Sequence, residues 1–136
     1  MKMKYITTQN INQKQLINLY NSVGWTAYTK NPTELEAAIN NSLLTIAAIN
    51  EDKLVGLIRV VGDGVSIIYI QDLLVQPSYQ KQGIGTHLVK LVLTKFQAVR
   101  QKVLLTIDEP ETRFFYEKCG FRSCDQGQLV AFYQEF

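Results

Sequence analysis

The stretch from Asp72 to Thr86 constrains the fold most, because an apolar segment, a proline, a glycine loop and a helical pattern follow one another in it. The apolar segment begins near Ser66 and is rich in β-branched and aromatic residues, which is typical of a strand. Pro77 cannot donate a hydrogen bond to a sheet, so we expect the strand to end there. Apolar residues recur at helical spacing from Ile84 onward, which predicts a strand–loop–helix unit.

The glycines of this unit indicate an anion site. Gly83 and Gly85 stand where the helix begins, and glycine leaves neighbouring backbone N–H groups accessible because it has no side chain. Free N–H groups and the positive end of a helix dipole suit a phosphate. Two glycines taken alone are also explained by a tight turn between strand and helix. The pattern completes neither a Walker loop nor a dinucleotide fingerprint, which needs a third glycine at the position of Leu88.

Two motifs resemble those of one protein family. The segment Val75-x-Pro77-x-Tyr79-Gln80-x-x-Gly83-Ile84-Gly85 is similar to the acetyl-CoA loop of the GCN5-related N-acetyltransferase (GNAT) family, whose core is Gln/Arg-x-x-Gly-x-Gly/Ala. The segment Phe115-Tyr116-Glu117-Lys118-Cys119-Gly120-Phe121 resembles the C-terminal Tyr-Glu-x-x-Gly-Phe signature of that family. Two motifs in the family's order are far more specific than one. The resemblance covers roughly residues 43–121 well.

The resemblance implies that acetyl-CoA is the co-substrate. The loop residues that would hold its pyrophosphate are Lys81, Gln82, Gly83, Ile84, Gly85 and Thr86. For the side chain of Lys81, binding of the pyrophosphate and an ordinary solvated lysine without a function are equal alternatives. The resemblance also implies that the strand residues Leu73, Leu74 and Val75 bind the pantetheine and thioester through their backbone, and that one of their N–H groups polarises the acetyl carbonyl.

Catalytic roles also follow from the resemblance. Tyr116 occupies the position of the family's tyrosine general acid, so it would contact the cofactor and protonate the departing CoA thiolate. Simple packing of an aromatic helix face is the alternative. Asp72 is our candidate general base, and a satisfied buried carboxylate is the alternative there. We expect Asp108 and Glu109 to be N-cap and first-turn acids of a helix, and a role as general base is the alternative. The family often carries an asparagine in this segment.

Aromatic residues are candidates for the wall of the acceptor site. We predict that Trp25, Tyr28 and Tyr69 bind the acceptor, because aromatic rings suit aryl-alkyl amines and hold ammonium groups by cation–π contacts. Ordinary packing is the alternative for each of them. By resemblance, Trp25 and Tyr28 lie in a loop that often covers the acceptor site. His87, the only histidine, is expected at the surface rather than in catalysis.

Composition excludes several classes of protein. A length of 136 residues predicts one domain over residues 1–136, and a net charge of +2 without a Lys/Arg-rich run argues against nucleic-acid binding. The sequence shows no signal peptide and no run approaching a membrane span, so we expect a cytoplasmic protein without membrane partners. Two cysteines, Cys119 and Cys124, and one histidine predict neither a disulfide framework nor a metal site.

The pattern of elements predicts an α+β fold, with a central mixed, mostly antiparallel sheet and helices on both faces. We expect strands near residues 4–8, 43–49, 54–61, 66–76 and 103–107. Helices are expected from Asn10 or Asn12 to Gly24, from Pro32 to about Ile39 and from Gly83 to Val99, and a short last helix should end at Gly120. An aromatic loop at 24–28 and a final hairpin of Phe121–Ser123 and Leu129–Phe136 complete the prediction. A strand–helix–strand unit predicts one parallel pair, placed at the centre of the sheet. The resemblance implies the acyl-CoA N-acyltransferase fold, in which this pair splays apart and acetyl-CoA lies in the gap.

The resemblance implies an N-acetyltransferase that transfers the acetyl group of acetyl-CoA directly to the primary amine of a small molecule or of a peptide, and we predict a small molecule. No serine or cysteine stands in a context that suggests a covalent intermediate. The alternative is a module of the same fold that binds acetyl-CoA as a sensor without turnover. A homodimer through the apolar tail 129–136 is compatible with the residues but not required by them.

Overall fold

The computed structural model describes residues 2–135, and these residues form five strands and five α-helices. The strands are β1 Met3–Thr7, β2 Leu44–Asn50, β3 Lys53–Gly62, β4 Ile67–Val75 and β5 Gln101–Leu104, and the helices are α1 Gln13–Ser22, α2 Thr26–Thr29, α3 Pro32–Asn40, α4 Ile84–Lys95 and α5 Pro110–Lys118. The chain divides into two compact units, of which the first ends at Leu105 and the second begins at Thr106. The single domain expected over residues 1–136 stays a prediction.

The strands form one sheet in the order β1-β2-β3-β4-β5. All neighbours are antiparallel except β4 and β5, which are parallel. The predicted α+β class and the mixed, mostly antiparallel sheet are therefore confirmed. The parallel pair lies at one end of this order rather than at its centre.

The predicted C-terminal hairpin is wrong over the part that the structure describes. Cys124–Gln126 forms a 3₁₀ turn, and residues 128–135 have no regular structure. An apolar run becomes a stable strand only where a neighbouring strand and a buried face support it, so β-propensity alone misleads here. Phe136, the last residue of that prediction, lies outside the described residues.

Helices cover both faces of the sheet, as expected. On one face, α1 and α3 build a core with the sheet, and its buried members are Leu16, Leu19, Tyr20, Leu35, Ile39, Ala47, Leu54, Leu57 and Leu74. The start of α4 lies on the other face, where a Cβ added to Gly56 would be 3.2 Å from Cγ2 of Ile84. Gly56 and Leu57 are adjacent in β3 and thus point to opposite faces. A glycine at position 56 lets the first turn of α4 lie close against the strand.

Local capping explains where the first helices begin. The side chain of Asn12 accepts a hydrogen bond of 3.0 Å from the backbone N–H of Gln15, and Asn31 accepts one of 3.3 Å from Glu34. Pro32 follows Asn31 at the first helical position, where its missing N–H costs nothing. The segment 24–28 differs from the expected loop, because its end contributes to the one-turn helix α2.

The parallel pairing sets the bounds of the last strand. The helix α4 ends at Lys95, four residues before the predicted end, and β5 begins at Gln101 rather than Val103. Gln101 donates a backbone hydrogen bond of 3.2 Å to Ser66. The partner strand thus determines where β5 begins, whereas the apolar run by itself points to a later segment.

Candidate active site

One edge of β4 is open over half of the strand. β4 pairs with β3 from Ile68 to Val75, but its parallel pairing with β5 covers only Ile67–Ile70. Residues 71–75 therefore have no strand partner on the β5 side within the described chain. An open edge of this kind can bind an extended ligand through main-chain hydrogen bonds.

A β-bulge marks the point at which the open edge begins. Arg59 of β3 faces Asp72, whereas the next residue, Val60, faces Ile70, so Gln71 is the extra residue of β4. A bulge of this kind changes the direction of a side chain within a strand. The side chain of Gln71 is exposed, although both of its neighbours are buried.

The backbone groups of the open edge can be assigned from neighbouring hydrogen bonds. The N–H of Gln76 donates to the carbonyl of Val55 over 2.8 Å, toward β3. Alternate residues of a strand direct their N–H and C=O groups to the same side, so Leu74 also faces β3 while Leu73 and Val75 face the open edge. In agreement, the side-chain amide of Gln80 donates to the carbonyl of Val75 over 3.0 Å. Leu73 is thus left with both backbone groups directed to the open edge, and Val75 with its N–H.

The loop after β4 presents a row of backbone donors. The chain makes a 3₁₀ turn at Pro77–Tyr79 and takes left-handed φ angles of +64° at Lys81 and +86° at Gly83 before α4 begins. Gly83 is the N-cap of α4 and offers no side chain to the helix. Within residues 2–135, none of the N–H groups of residues 81–86 donates to a protein acceptor. These donors and the positive end of the α4 dipole can bind an anion.

The hairpin turn between β2 and β3 holds this loop in place. The hydroxyl of Tyr79 accepts a hydrogen bond of 3.2 Å from the side chain of Asn50. The ammonium of Lys53 lies 5.7 Å from the centre of the Tyr79 ring, within the range of a cation–π contact. Both contacts fix the 3₁₀ turn that leads from β4 to the donors of the loop.

Asp72 is the centre of a buried polar network. Its side chain is only 2% exposed, and its Oδ2 accepts hydrogen bonds from the Tyr20 hydroxyl over 2.9 Å and from Arg59 Nε over 2.8 Å. Its Oδ1 accepts a third bond of 2.7 Å from the Tyr28 hydroxyl. Arg59 also donates to Ser42 Oγ over 3.3 Å. This geometry does not support the predicted role of Asp72 as general base, because its carboxylate oxygens are bound to protein groups and shielded from solvent.

The protonation states of the network follow from its burial. Burial raises the pKa of Tyr20 and of Tyr28, and the interactions with Asp72 raise both further, so the two phenols stay protonated donors. Burial lowers the pKa of Arg59, but the attraction and hydrogen bond of Asp72 outweigh it, so the pKa is raised overall. The Asp72 side chain is therefore surrounded by one cation and two neutral donors.

An aromatic cluster adjoins the bulge. The rings of Trp25 and Tyr28 lie 6.1 Å apart, and the ring of Tyr20 lies 5.0 Å from that of Tyr28. Trp25 is 36% exposed, and the Tyr28 hydroxyl accepts a hydrogen bond of 3.3 Å from Gln71 Nε2. Tyr69 lies on β4 and takes part in none of the aromatic pairs found among residues 2–135. The structure thus brings together Trp25, Tyr28 and Gln71. The sequence did not indicate Gln71, because a bulge leaves no signature in a strand of this composition.

The second unit contains the tyrosine of the C-terminal motif. The ring of Tyr116 on α5 packs edge to face with Phe115 at 5.0 Å and Phe121 at 6.0 Å. Burial, with a smaller contribution from Cys119, raises the pKa of Tyr116 to about 12. Cys119 and Cys124 are both free thiols. The Tyr116 phenol is therefore a weak acid that stays protonated at neutral pH.

An ion-pair cluster occupies the start of α5. Glu109 is the N-cap residue, but its side chain makes no capping hydrogen bond. Asp108 instead accepts a hydrogen bond of 2.6 Å from Arg113, which also bonds Asp125 over 3.0 Å. The hydrogen bond and charge of Arg113 lower the pKa of Asp108. The expected capping by these two acids is thus replaced by a surface ion pair.

Neither a membrane-spanning helix nor a metal-binding cluster is found among residues 2–135. Every helix of residues 2–135 is too short or too polar to cross a lipid bilayer. Within the same residues, no group of histidine, cysteine, aspartate and glutamate side chains could hold a metal ion.

Comparison with known proteins assigns the family. The sequence model described as "Acetyltransferase (GNAT) domain" matches residues 7–133. The chain belongs to the GNAT acetyltransferase family. A GNAT family protein from Streptococcus pneumoniae TIGR4 has a solved structure that superimposes with a TM-score of 0.88 at 35% identity, covering 99% of this chain and 98% of that one. The resemblance and the acyl-CoA N-acyltransferase fold are thereby confirmed.

Other GNAT relatives differ in length or sequence. The uncharacterised N-acetyltransferase ycf52 of Pyropia yezoensis is 29% identical over 120 residues, which are 85% of this chain and 67% of that protein. The chain thus spans about two thirds of the length of this relative. An aminoglycoside N-acetyltransferase solved in complex with CoA superimposes with a TM-score of 0.72, covering 98% of this chain and 95% of that one. At 15% identity, this last similarity shows the GNAT fold alone.

Proposed function

We propose that this GNAT protein transfers the acetyl group of acetyl-CoA directly to the primary amine of a small molecule. The observation that carries this proposal is the open edge of β4 over residues 71–75, which leads through one loop to the free N–H groups of residues 81–86. Acetyl-CoA has a thioester and amides at one end and a diphosphate further along. The order of its groups therefore matches the order of the donors along the chain.

The loop accounts for binding of the diphosphate. The backbone N–H groups of residues 81–86 and the α4 dipole stabilise its negative charge, and Lys81 adds a cation at the exposed surface. The amides of the pantetheine arm bind the backbone of Leu73 and Val75, which faces the open edge. Leu74 supports this edge through its side chain, which is buried in the core.

Transfer of the acetyl group follows from the same edge. The N–H of Leu73 donates to the acetyl oxygen and stabilises the oxyanion that forms when the amine attacks. The new C–N bond forms, the C–S bond breaks, and the CoA thiolate takes a proton, which the family resemblance assigns to Tyr116. The proton of the attacking amine passes to water, because the partners of Asp72 leave that carboxylate unavailable.

The acceptor binds beside the aromatic cluster. Trp25 and Tyr28 offer ring surface next to the bulge, and this surface suits an amine that carries an apolar or aryl group. Tyr69, which lies on β4, extends this wall. A small-molecule amine is favoured over a folded protein because the exposed ring surface comes from two side chains, one of which is half-buried.

Two measurements test the proposed function. Calorimetry should detect binding of acetyl-CoA by the purified protein, and a thiol reagent should then detect free CoA in the presence of some members of an amine panel containing aryl-alkyl amines, polyamines, amino sugars and a lysine peptide. Absence of acetyl-CoA binding would overturn the proposal. Binding without thiol release for every amine would favour the non-catalytic sensor.

A further inference from the structure

We infer that the side-chain carbonyl of Gln71 binds the N–H of the acceptor amine and positions it for attack. This inference rests on the proposed function and adds to it a residue that determines how the acceptor binds. Gln71 belongs to neither family motif. It emerges from three observations: its hydrogen bond, its place in the bulge and its exposure.

The orientation of the Gln71 amide is set by the buried network. The Tyr28 hydroxyl donates its proton to Asp72 Oδ1 over 2.7 Å. The oxygen of that hydroxyl is then left with lone pairs only, and it accepts from Gln71 Nε2 over 3.3 Å. The amide nitrogen of Gln71 is thereby directed toward Tyr28, and its carbonyl oxygen Oε1 is directed away from Tyr28.

Among residues 2–135, no hydrogen bond is made by Gln71 Oε1. Gln71 is exposed, so this oxygen is available to a ligand. A carbonyl oxygen accepts equally from a neutral amine and from an ammonium ion, and it carries no proton of its own. The side chain thus binds an amine in either protonation state but cannot act as its base.

The position of Gln71 suits an acceptor that attacks an acetyl group on β4. The bulge places it at the first residue of the open edge, two residues before Leu73. Its hydrogen bond to Tyr28 joins the open edge to the aromatic cluster. An amine bound to Gln71 Oε1 would therefore have its apolar group on the rings of Trp25 and Tyr28 and its nitrogen beside the strand that holds the thioester.

The first test replaces Gln71 with side chains of similar size. Gln71→Met keeps the length of the side chain but removes the acceptor oxygen, so we expect the KM for the amine to rise about tenfold, the size typical of a hydrogen bond to a charged group. The KM for acetyl-CoA and the thermal unfolding temperature should stay unchanged. Gln71→Glu keeps an acceptor oxygen but cannot donate to Tyr28, so the KM for a cationic amine should rise less than in Gln71→Met.

The matched control is Gln97→Met, because Gln97 is an exposed glutamine outside the site. It should leave both KM values unchanged. A second variant, Tyr28→Phe, removes the hydroxyl that orients the Gln71 amide, and it should raise the KM for the amine by a smaller factor than Gln71→Met while acetyl-CoA binding persists. Gln71→Ala also removes the acceptor oxygen, so it should raise the KM for the amine as Gln71→Met does.

The possible outcomes separate this inference from the proposed function. If the wild-type protein releases no CoA thiol with any amine, the proposed function fails before any variant is made. If the wild-type protein is active and Gln71→Met and Gln71→Ala keep the wild-type KM for the amine, only the role of Gln71 is overturned. A rise in the KM for acetyl-CoA equal to that for the amine would also overturn it, because it would indicate a general disturbance of β4.

Discussion

The hydroxyl of Tyr28 donates a hydrogen bond of 2.7 Å to the carboxylate of Asp72, across 44 residues of sequence. This bond ties the short helix α2 to β4 at the bulge, where the open edge of the strand begins. Asp72 also binds Tyr20 and Arg59, so one buried carboxylate joins α1, α2, β3 and β4. We therefore propose a structural and positioning role for Asp72, as an alternative to the catalytic role predicted from the sequence.

The first prediction concerns the stability that this network provides. Asp72→Ala removes the partner of Arg59, whose side chain is 8% exposed, and leaves a buried cation uncompensated. We expect the free energy of unfolding to fall by ~3–5 kcal/mol, as is usual when one member of a buried ion pair is removed. Urea unfolding measures this change.

A double variant separates the ion pair from the packing around it. Asp72→Ala combined with Arg59→Met should cost less than the sum of the two single substitutions, because the second change removes the uncompensated cation. Glu135→Ala is the control, since Glu135 is exposed, and it should change stability little. A loss below ~1 kcal/mol for Asp72→Ala would contradict the structural role.

The second prediction concerns the loop before α4. Gly83→Glu places a carboxylate beside the free N–H groups, so we expect acetyl-CoA to bind at least ~100-fold more weakly, equivalent to about 2.7 kcal/mol. Calorimetry with acetyl-CoA alone measures this effect. Gly83→Asn should weaken binding much less, because asparagine tolerates the φ of +86° and adds no charge.

A control variant places the same charge, at a similarly strained backbone position, outside the loop before α4. Gly24→Glu introduces the same side chain at a φ of +81° with no atom within 4 Å of the added Cβ, as at Gly83. It should therefore leave acetyl-CoA affinity unchanged. Equal weakening by Gly24→Glu and Gly83→Glu would show that the effect is not specific to the loop.

The third prediction concerns the pH dependence of turnover. A general acid works only while it is protonated, and its activity falls as the pH rises through its pKa. Because the pKa of Tyr116 is raised to about 12, the phenol stays protonated throughout the range in which the protein is expected to work. We expect kcat/KM for the amine to rise with pH as the free amine loses its proton, with no decline below pH ~10.

Substitution of Tyr116 tests the same role. Tyr116→Phe should lower kcat by roughly 10²-fold, the lower end of the usual contribution of a general acid, and should change acetyl-CoA affinity little. Tyr133→Phe, at an exposed tyrosine, is the matched control and should keep the wild-type kcat. A decline in wild-type kcat between pH 7 and 9 that disappears in Tyr116→Phe would contradict the raised pKa.

Most of the fold could be predicted because its signals are local. Asn12, Asn31 and Pro32 marked two helix starts, since capping depends on a few adjacent residues. The alternation and composition of the strands predicted a mostly antiparallel sheet with one parallel pair. The prediction of a C-terminal hairpin was wrong, because a strand also needs a partner that its own sequence does not specify.

The amino-acid order by itself determined the strand–loop–helix unit, the glycines that leave backbone donors uncovered and the two motifs of the GNAT family. Only the tertiary structure decided that β4 is open beyond Ile70, that Gln71 forms a bulge and that the oxygens of Asp72 are bound by three distant side chains. The physical reason is that caps and turns depend on neighbours in sequence, whereas edge pairing, register and buried hydrogen bonds depend on residues brought together from 13 to 52 positions away.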